Sequence, residues 1–375
     1  MRSKLQILLC LLLSLCVAPL RAHIVSQLYG EIRESGESWE MEILFDAGFA
    51  DPATRNDPSS PQPTRDWLLA LPLAGQTHLA EEAHLYLKDI ISLQSHGKEL
   101  EWVASFPDFE TKPPKFPSLL NDGAYFHVRI VPAKRIAGEM EIHLAAGKHP
   151  DLVMKLPSRG DETTYVTVKP GGMALLKKEH GPEQVGRHAA VVAFEQGVLH
   201  VVPRGLDHIL FVLGIFLLQR RWQPLLKQSL AFTAAHTLTL GLAAAGWVKI
   251  PGSIVEPIIA LSITALAVEN LFVRELKPWR LWLVFGFGLV HGLGFAGVLS
   301  TWIQPGQQFF PTLIAANLGV ELGQLAVLAT AWALTLRWHA NRAWEPARSA
   351  FCIAIALSGL WWCAERSGLL SDFGG

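Results

Sequence analysis

Asp207, His208, His236, His291 and Glu321 stand near the middle of long apolar stretches in the second half of the chain. An ionisable group at the centre of a bilayer costs about 3 kcal/mol on insertion scales, so such groups turn toward a shared interior, where they pair or hold an ion. Imidazole and carboxylate together suit divalent first-row metals: nickel, cobalt, zinc or copper. A proton relay would use the same groups, and any one of them alone would serve as a hydrogen-bonded contact between helices. Asn317, Glu321 and Gln324 follow the i, i+4, i+7 spacing of one helix face, so the two amides are candidates to orient the site. His200 lies about two turns outward of His208 and reads as an outer ligand. Arg204 is the nearest cation to Asp207, and an ion pair between them is the structural alternative for that carboxylate.

The elements that carry these groups are apolar spans. Hydropathy predicts about six transmembrane helices, at 198–218, 226–248, 255–273, 281–302, 312–336 and 350–362. As straight helices, their midpoints fall close to His208, His236 and His291 and within a turn of Glu321 and Gln324. The groups would therefore share one depth. Pro203-Arg204-Gly205 interrupts the first span just before Asp207, and broken helices at membrane depth often mark transport sites. Alternate connections hold Arg220, Arg221, Lys227, Arg274, Lys277, Arg280, Arg337, Arg342 and Arg348, against only Lys249 on the other side. That asymmetry puts the basic connections in the cytoplasm. Trp222, Trp247, Trp279, Trp302 and Trp338 sit near span ends, as an interfacial aromatic belt does.

The chain is 50% apolar and 17% charged with a net charge of −1, which gives no argument for nucleic acid. A basic start followed by a short apolar run and Leu20-Arg21-Ala22 reads as a signal peptide over 1–22. Cleavage there would make His23 an N-terminal residue able to bind copper or nickel through its amine and ring. Cys10 and Cys16 would leave with the leader, and Cys352 and Cys363 fall in the last span, so an exported domain would hold no disulfide and no thiolate metal site.

Residues 23–180 read as an exported β-rich, β-sandwich-like domain. Trp39, Met41, Ile43 and Phe45 alternate with Glu40, Glu42 and Leu44, and the turn-like Ser35-Gly36-Glu37-Ser38 precedes them, so 24–33 and 39–46 form a hairpin. Further strands are expected at 83–93, 100–106, 124–132, 139–145 and 165–169. The histidines scattered through this region show no ligand spacing. A polar joint with Gly and Pro across 177–187 sets a linker at 181–196, followed by the all-α membrane bundle at 197–370.

The second half resembles the HupE/UreJ family, in particular its longer branch with an exported N-terminal domain. The resemblance is carried by Gly205-Leu206-Asp207-His208-Ile209-Leu210, Phe232-Thr233-Ala234-Ala235-His236-Thr237, Glu269-Asn270, His291-Gly292-Leu293-Gly294 and Asn317-Leu318-Gly319-Val320-Glu321-Leu322-Gly323-Gln324, within about residues 194–335. It implies a polytopic protein linked to nickel or cobalt permeation. Two positions depart from the nickel-permease branch: six residues rather than five separate His200 from Asp207, and Phe295-Ala296 stand where that branch repeats a histidine.

The expected function is a bacterial inner-membrane permease with a periplasmic N-terminal domain. It would move a divalent transition metal, nickel or cobalt first and zinc or copper next, through Asp207, His208, His236, His291, Glu321, Asn317, Gln324 and His200. The expected partners are the lipid bilayer, the metal ion and a periplasmic protein. The alternative is a membrane accessory or metal-sensing protein that does not transport. No HExxH, GxSxG, P-loop or GxGxxG pattern occurs, so neither an enzyme nor ATP-driven transport is expected.

Overall fold

The computed structural model describes residues 27–35, 38–52, 55, 63–117, 123–134, 140–156, 164–177, 187–299, 309–336 and 344–369. The expected leader, His23 and the first part of the expected linker lie outside these residues. The chain divides into two compact units, one ending at Val192 and the other running from Ala193 to Gly375.

The N-terminal unit is β-rich. Its strands are β1 (Gln27–Ser35), β2 (Ser38–Asp46), β3 (Ile91–Ser95), β4 (Lys98–Leu100), β5 (Trp102–Ser105), β6 (Tyr125–Pro132), β7 (Met140–Leu144), β8 (Asp151–Lys155), β9 (Thr164–Val168), β10 (Met173–Lys177) and β11 (Arg187–His188). They form a seven-stranded sheet, β11-β9-β8-β1-β2-β6-β5, and a four-stranded sheet, β10-β7-β3-β4. Three helices, α1 (Arg65–Ala70), α2 (Leu73–Ile90) and α3 (Pro107–Glu110), fill the connections. The β1–β2 hairpin is antiparallel with Ser35 opposite Ser38. Its alternation works as read: Trp39, Met41, Ile43 and Phe45 are at most 2% exposed. Each such buried side chain contributes about 1.5–3 kcal/mol of transfer free energy. Both sheets and α2 share one apolar core.

The expected strand at 83–93 is a correction. The chain is helical through Ile90 and extended only from Ile91. Leu79, Ala83, Tyr86, Leu87 and Ile90 are all buried, and their three- and four-residue spacing is a helix stripe, not an alternation. Strand β8 lies between two of the expected strands, and β10 and β11 follow the last of them.

The C-terminal unit is helical: α4 (Ala189–Val201), α5 (Leu206–Leu218), α6 (Trp222–Ala244), α7 (Gly252–Phe272), α8 (Trp279–Leu299), α9 (Phe309–Thr335) and α10 (Trp344–Arg366). The helix α4 thus begins inside the segment read as linker. By length and composition α7, α9 and α10 can each cross a membrane, and α4 with α5 makes a fourth if that bent pair is one span. In α8 the stretch Trp279–Phe295 is also apolar. In α6, Lys227, Gln228, Ser229, Thr233 and His236 interrupt the apolar run, yet α6 packs along α8 inside the same bundle. The chain is a multi-pass membrane protein.

Outward faces are apolar at helical spacing. Phe310, Ile314, Leu318 and Leu322 on α9, and Ile353, Leu357 and Leu360 on α10, are exposed large apolar groups. Lipid accepts such a stripe where water would not. Trp222, Trp247 and Trp279 are exposed at helix ends; Trp302 and Trp338 lie outside the described residues. Helices meet through glycine: a Cβ at Gly288 would stand 2.5 Å from the Phe232 carbonyl oxygen, and one at Gly319 would strike the Phe194 carbonyl. These contacts set α8 against α6 and α9 against α4 at backbone distance.

Candidate metal centre

The first span is not one straight helix. Pro203 has no N–H to donate, and the chain breaks between Val201 and Leu206, with α4 and α5 bent by 66°. In a continuous helix, His200 and His208 would stand about 12 Å apart along the axis. The break brings their ring centroids to 4.6 Å. Gly205 permits the fold-back, because a Cβ there would collide with the His200 carbonyl.

The ring of His236, carried by α6, joins this pair. Its centroid lies 5.8 Å from that of His208 and 6.2 Å from that of His200. One ring nitrogen from each of His200, His208 and His236 lies within 4.8 Å of the others. Each has its Nε2 buried with no hydrogen-bond partner among the described residues. A buried polar atom without a partner carries a desolvation penalty of about 1–3 kcal/mol, and a cation shared by three rings this close would relieve it.

The tautomer of His236 follows from its partner. Asn317 donates its amide N–H to the Leu313 carbonyl at 2.8 Å, which turns Oδ1 toward the ring. Oδ1 only accepts, so His236 Nδ1 carries the proton and donates it across 3.2 Å. The lone pair is then on Nε2, which is buried without a partner among the described residues. A ring held through one nitrogen with the other left open is the usual setting of a metal-ligating histidine.

His291 lies beside the trio, 5.2 Å from His208 by ring centroids, and is 1% exposed. Ser262 donates its hydroxyl proton to the Ile259 carbonyl at 2.6 Å, so at 2.9 Å it accepts from His291 Nε2. The lone pair of His291 is therefore on Nδ1, again buried and without a partner among the described residues. Phe295 closes the other side, its ring stacked on His200 at 3.6 Å between centroids.

The remaining predicted residues lie elsewhere. Asp207 turns toward α10 and accepts from Arg366 at 3.1 and 3.2 Å. Arg204, read as its partner, is exposed. Glu321 accepts from Ser229 at 2.9 Å and Thr233 at 2.5 Å, and Gln324 Oε1 lies 2.9 Å from the same serine. The histidines thus form a nitrogen cluster, and Glu321 with Gln324 forms a separate oxygen cluster along the α6–α9 seam, joined to it through Asn317.

Sequence reasoning missed three contributors. Ser262 orients His291, and its signal was a hydroxyl inside an apolar span. Phe295 was visible only as a departure from a pattern. Arg280, counted among the cytoplasmic loop charges, is wholly buried: it donates to Gln228 at 3.0 Å and pairs with Glu269. Asn270 and Arg348 extend that network through the Gly214 and Asn270 carbonyls.

A family model described as HupE / UreJ protein matches residues 177–366, just over half of the chain. The chain belongs to the HupE/UreJ family. That family is associated with nickel and cobalt uptake, and this HupE/UreJ member holds its histidine cluster inside the matched region. No curated protein and no solved structure matches the chain.

Proposed function

We propose that this HupE/UreJ protein is a permease, not an enzyme, and that it passes a divalent transition metal, nickel or cobalt first, through the histidine cluster. One observation carries the reading: three histidines on three helices, each with a buried Nε2 that has no partner among the described residues, bring one ring nitrogen apiece within 4.8 Å of the others at a break in a membrane span. Imidazole ligands suit nickel, cobalt, zinc and copper, and family membership favours the first two. A broken helix supports passage as well as binding, since irregular backbone at membrane depth is tolerated beside protein or a water-filled path. His200, His208 and His236 would take the ion, Asn317 and Ser262 would orient their neighbours, and His291 Nδ1 would receive the ion next. The excess of basic residues on alternate connections supports an inner-membrane core with the β unit on the periplasmic side.

The test is uptake of radiolabelled nickel and cobalt by cells expressing the protein or its His208→Ala variant at matched membrane levels. Uptake should fall to the background of cells lacking the protein. Normal uptake by the variant would remove the histidine cluster from the path. Background uptake by the unaltered protein would favour an accessory or sensing role.

A further inference from the structure

The end of the bundle where α5 and α7 begin and α10 ends carries an ion pair that the histidine cluster does not use. Arg366, in the last turn of α10, donates through Nη2 to both carboxylate oxygens of Asp207, at 3.1 and 3.2 Å. Its Nη1 lies 3.5 Å from the Glu256 carbonyl oxygen in α7, and its guanidinium stands over the Trp362 ring, 5.5 Å from the centroid. The arginine side chain is 9% exposed and that of Asp207 is 21% exposed. No amide or imidazole orientation enters this contact: the guanidinium only donates and the ionised carboxylate only accepts.

Three observations tie this pair to the histidines. Asp207 precedes His208 in the first turn of α5, directly after the break that folds His200 back. The charge of Arg366 reaches His291. The trio itself offers imidazole nitrogens and no carboxylate, so a divalent ion entering it brings charge that its ligands do not cancel. A buried charge is tolerated only when it is paired. Of the two carboxylates expected at this depth, Glu321 accepts from the neutral hydroxyls of Ser229 and Thr233, whereas Asp207 is matched by a full positive charge. A cation of the protein's own therefore already stands beside the cluster, and it occupies the carboxylate next to a ligand.

We propose that Arg366 is a positioning residue that stands in for the cargo ion: it holds Asp207 and the start of α5 on α10 while the histidine cluster is empty, and it gives up the carboxylate to a divalent ion entering the cluster. The inference rests on the function proposed above. No covalent bond forms or breaks; one ion pair is exchanged for another. Arginine and metal then compete for one carboxylate, and each partner of the pair acts on metal affinity with its own sign. The arginine opposes the entering ion, by repulsion and by holding Asp207. The aspartate favours it. A tie that merely fastens α10 to α5 predicts otherwise: losing either partner loosens the fold-back and weakens the site alike.

Two measurements on the purified full-length protein test this: calorimetric titration with nickel chloride, and thermal unfolding without metal. Arg366→Gln should bind nickel more tightly than the unaltered chain, by a factor of about 5–150, the usual span of coupling between two sites. Asp207→Asn should bind it more weakly. The unfolding midpoint of the metal-free protein should fall in both variants, because both lose the same tie; a midpoint unchanged in both would mean that there is no tie to give up. Affinities that move together, or an unchanged affinity in Arg366→Gln, overturn the proposal. If Arg366→Gln fails to fold because Asp207 is left without its partner, the double variant Asp207→Asn with Arg366→Gln removes both charges of the pair. It should bind nickel more tightly than Asp207→Asn alone, and equal or weaker binding overturns the proposal. No nickel on the unaltered protein sinks the function proposed above and this inference with it. Nickel bound by the unaltered protein but weakened in both single variants sinks this inference alone.

Discussion

Histidines of the β unit and of the helical unit differ in how their ring nitrogens are satisfied. Three in the β unit take side-chain partners. His127 Nδ1 lies 3.0 Å from Asp108, His143 Nε2 lies 3.4 Å from Glu141, and His149 Nδ1 lies 3.4 Å from the Tyr86 hydroxyl. In the helical unit, His200, His208, His236 and His291 are carried by four helices and each keeps a buried nitrogen with no partner among the described residues. Histidine content therefore says little. What distinguishes the helical set is that each ring keeps a buried nitrogen open among the others.

The loss of uptake in His208→Ala is the largest effect this contrast predicts. Next comes Asn317→Leu, which removes the acceptor that fixes the His236 tautomer while leaving all imidazoles in place. Loss of such an orienting partner costs about 10–100-fold in metal affinity, so equilibrium competition with a chelating dye should read a drop of that order. Unchanged affinity would reduce Asn317 to a packing contact. Phe295→Ala removes the ring stacked on His200. Aromatic contacts contribute about 0.5–1.5 kcal/mol, so affinity should weaken about two- to tenfold. A gain in affinity would mean that Phe295 obstructs the site rather than shaping it.

The smallest effect belongs to the β unit. The hydrogen bond to Asp108 raises the His127 pKa above its ordinary value, with desolvation opposing it. A folded value above the unfolded one means the pair stabilises the protein fully below about pH 6.5, and that this contribution fades as pH rises through the raised value. Asp108→Asn should lower the His127 midpoint in an NMR titration and leave metal uptake unchanged. Altered uptake would blur the separation between the two sets of histidines.

Much of this was legible in the chain. The β1–β2 hairpin shows in a strict alternation at Trp39–Phe45 with a turn before it. The helix over Leu73–Ile90 does not, because apolar residues at Ala83, Tyr86, Leu87 and Ile90 fit a short strand and a helix stripe equally until length decides. In the membrane half, polar residues in apolar spans identified the helices that bear the sites. They could not show direction. Asp207 and His208 are adjacent, and adjacent helical residues point about 100° apart, so one meets Arg366 and the other meets the histidines. Arg280 looked like a loop charge because its partners, Gln228 and Glu269, belong to other helices. The Pro203–Gly205 interruption was visible, but a fold-back that turns a 12 Å axial separation into ring contact is a tertiary fact.

Under the proposed function, three imidazoles from three helices would hold one metal ion. Titration of the purified full-length protein with nickel and cobalt, read by calorimetry and by X-ray absorption at the metal edge, tests it most directly. One tightly bound ion per chain with imidazole scattering in its first shell is expected, with loss of both signals when His200, His208 and His236 are all changed to alanine. An ion bound just as tightly by that triple variant, or no ion bound by the unaltered protein, would contradict it.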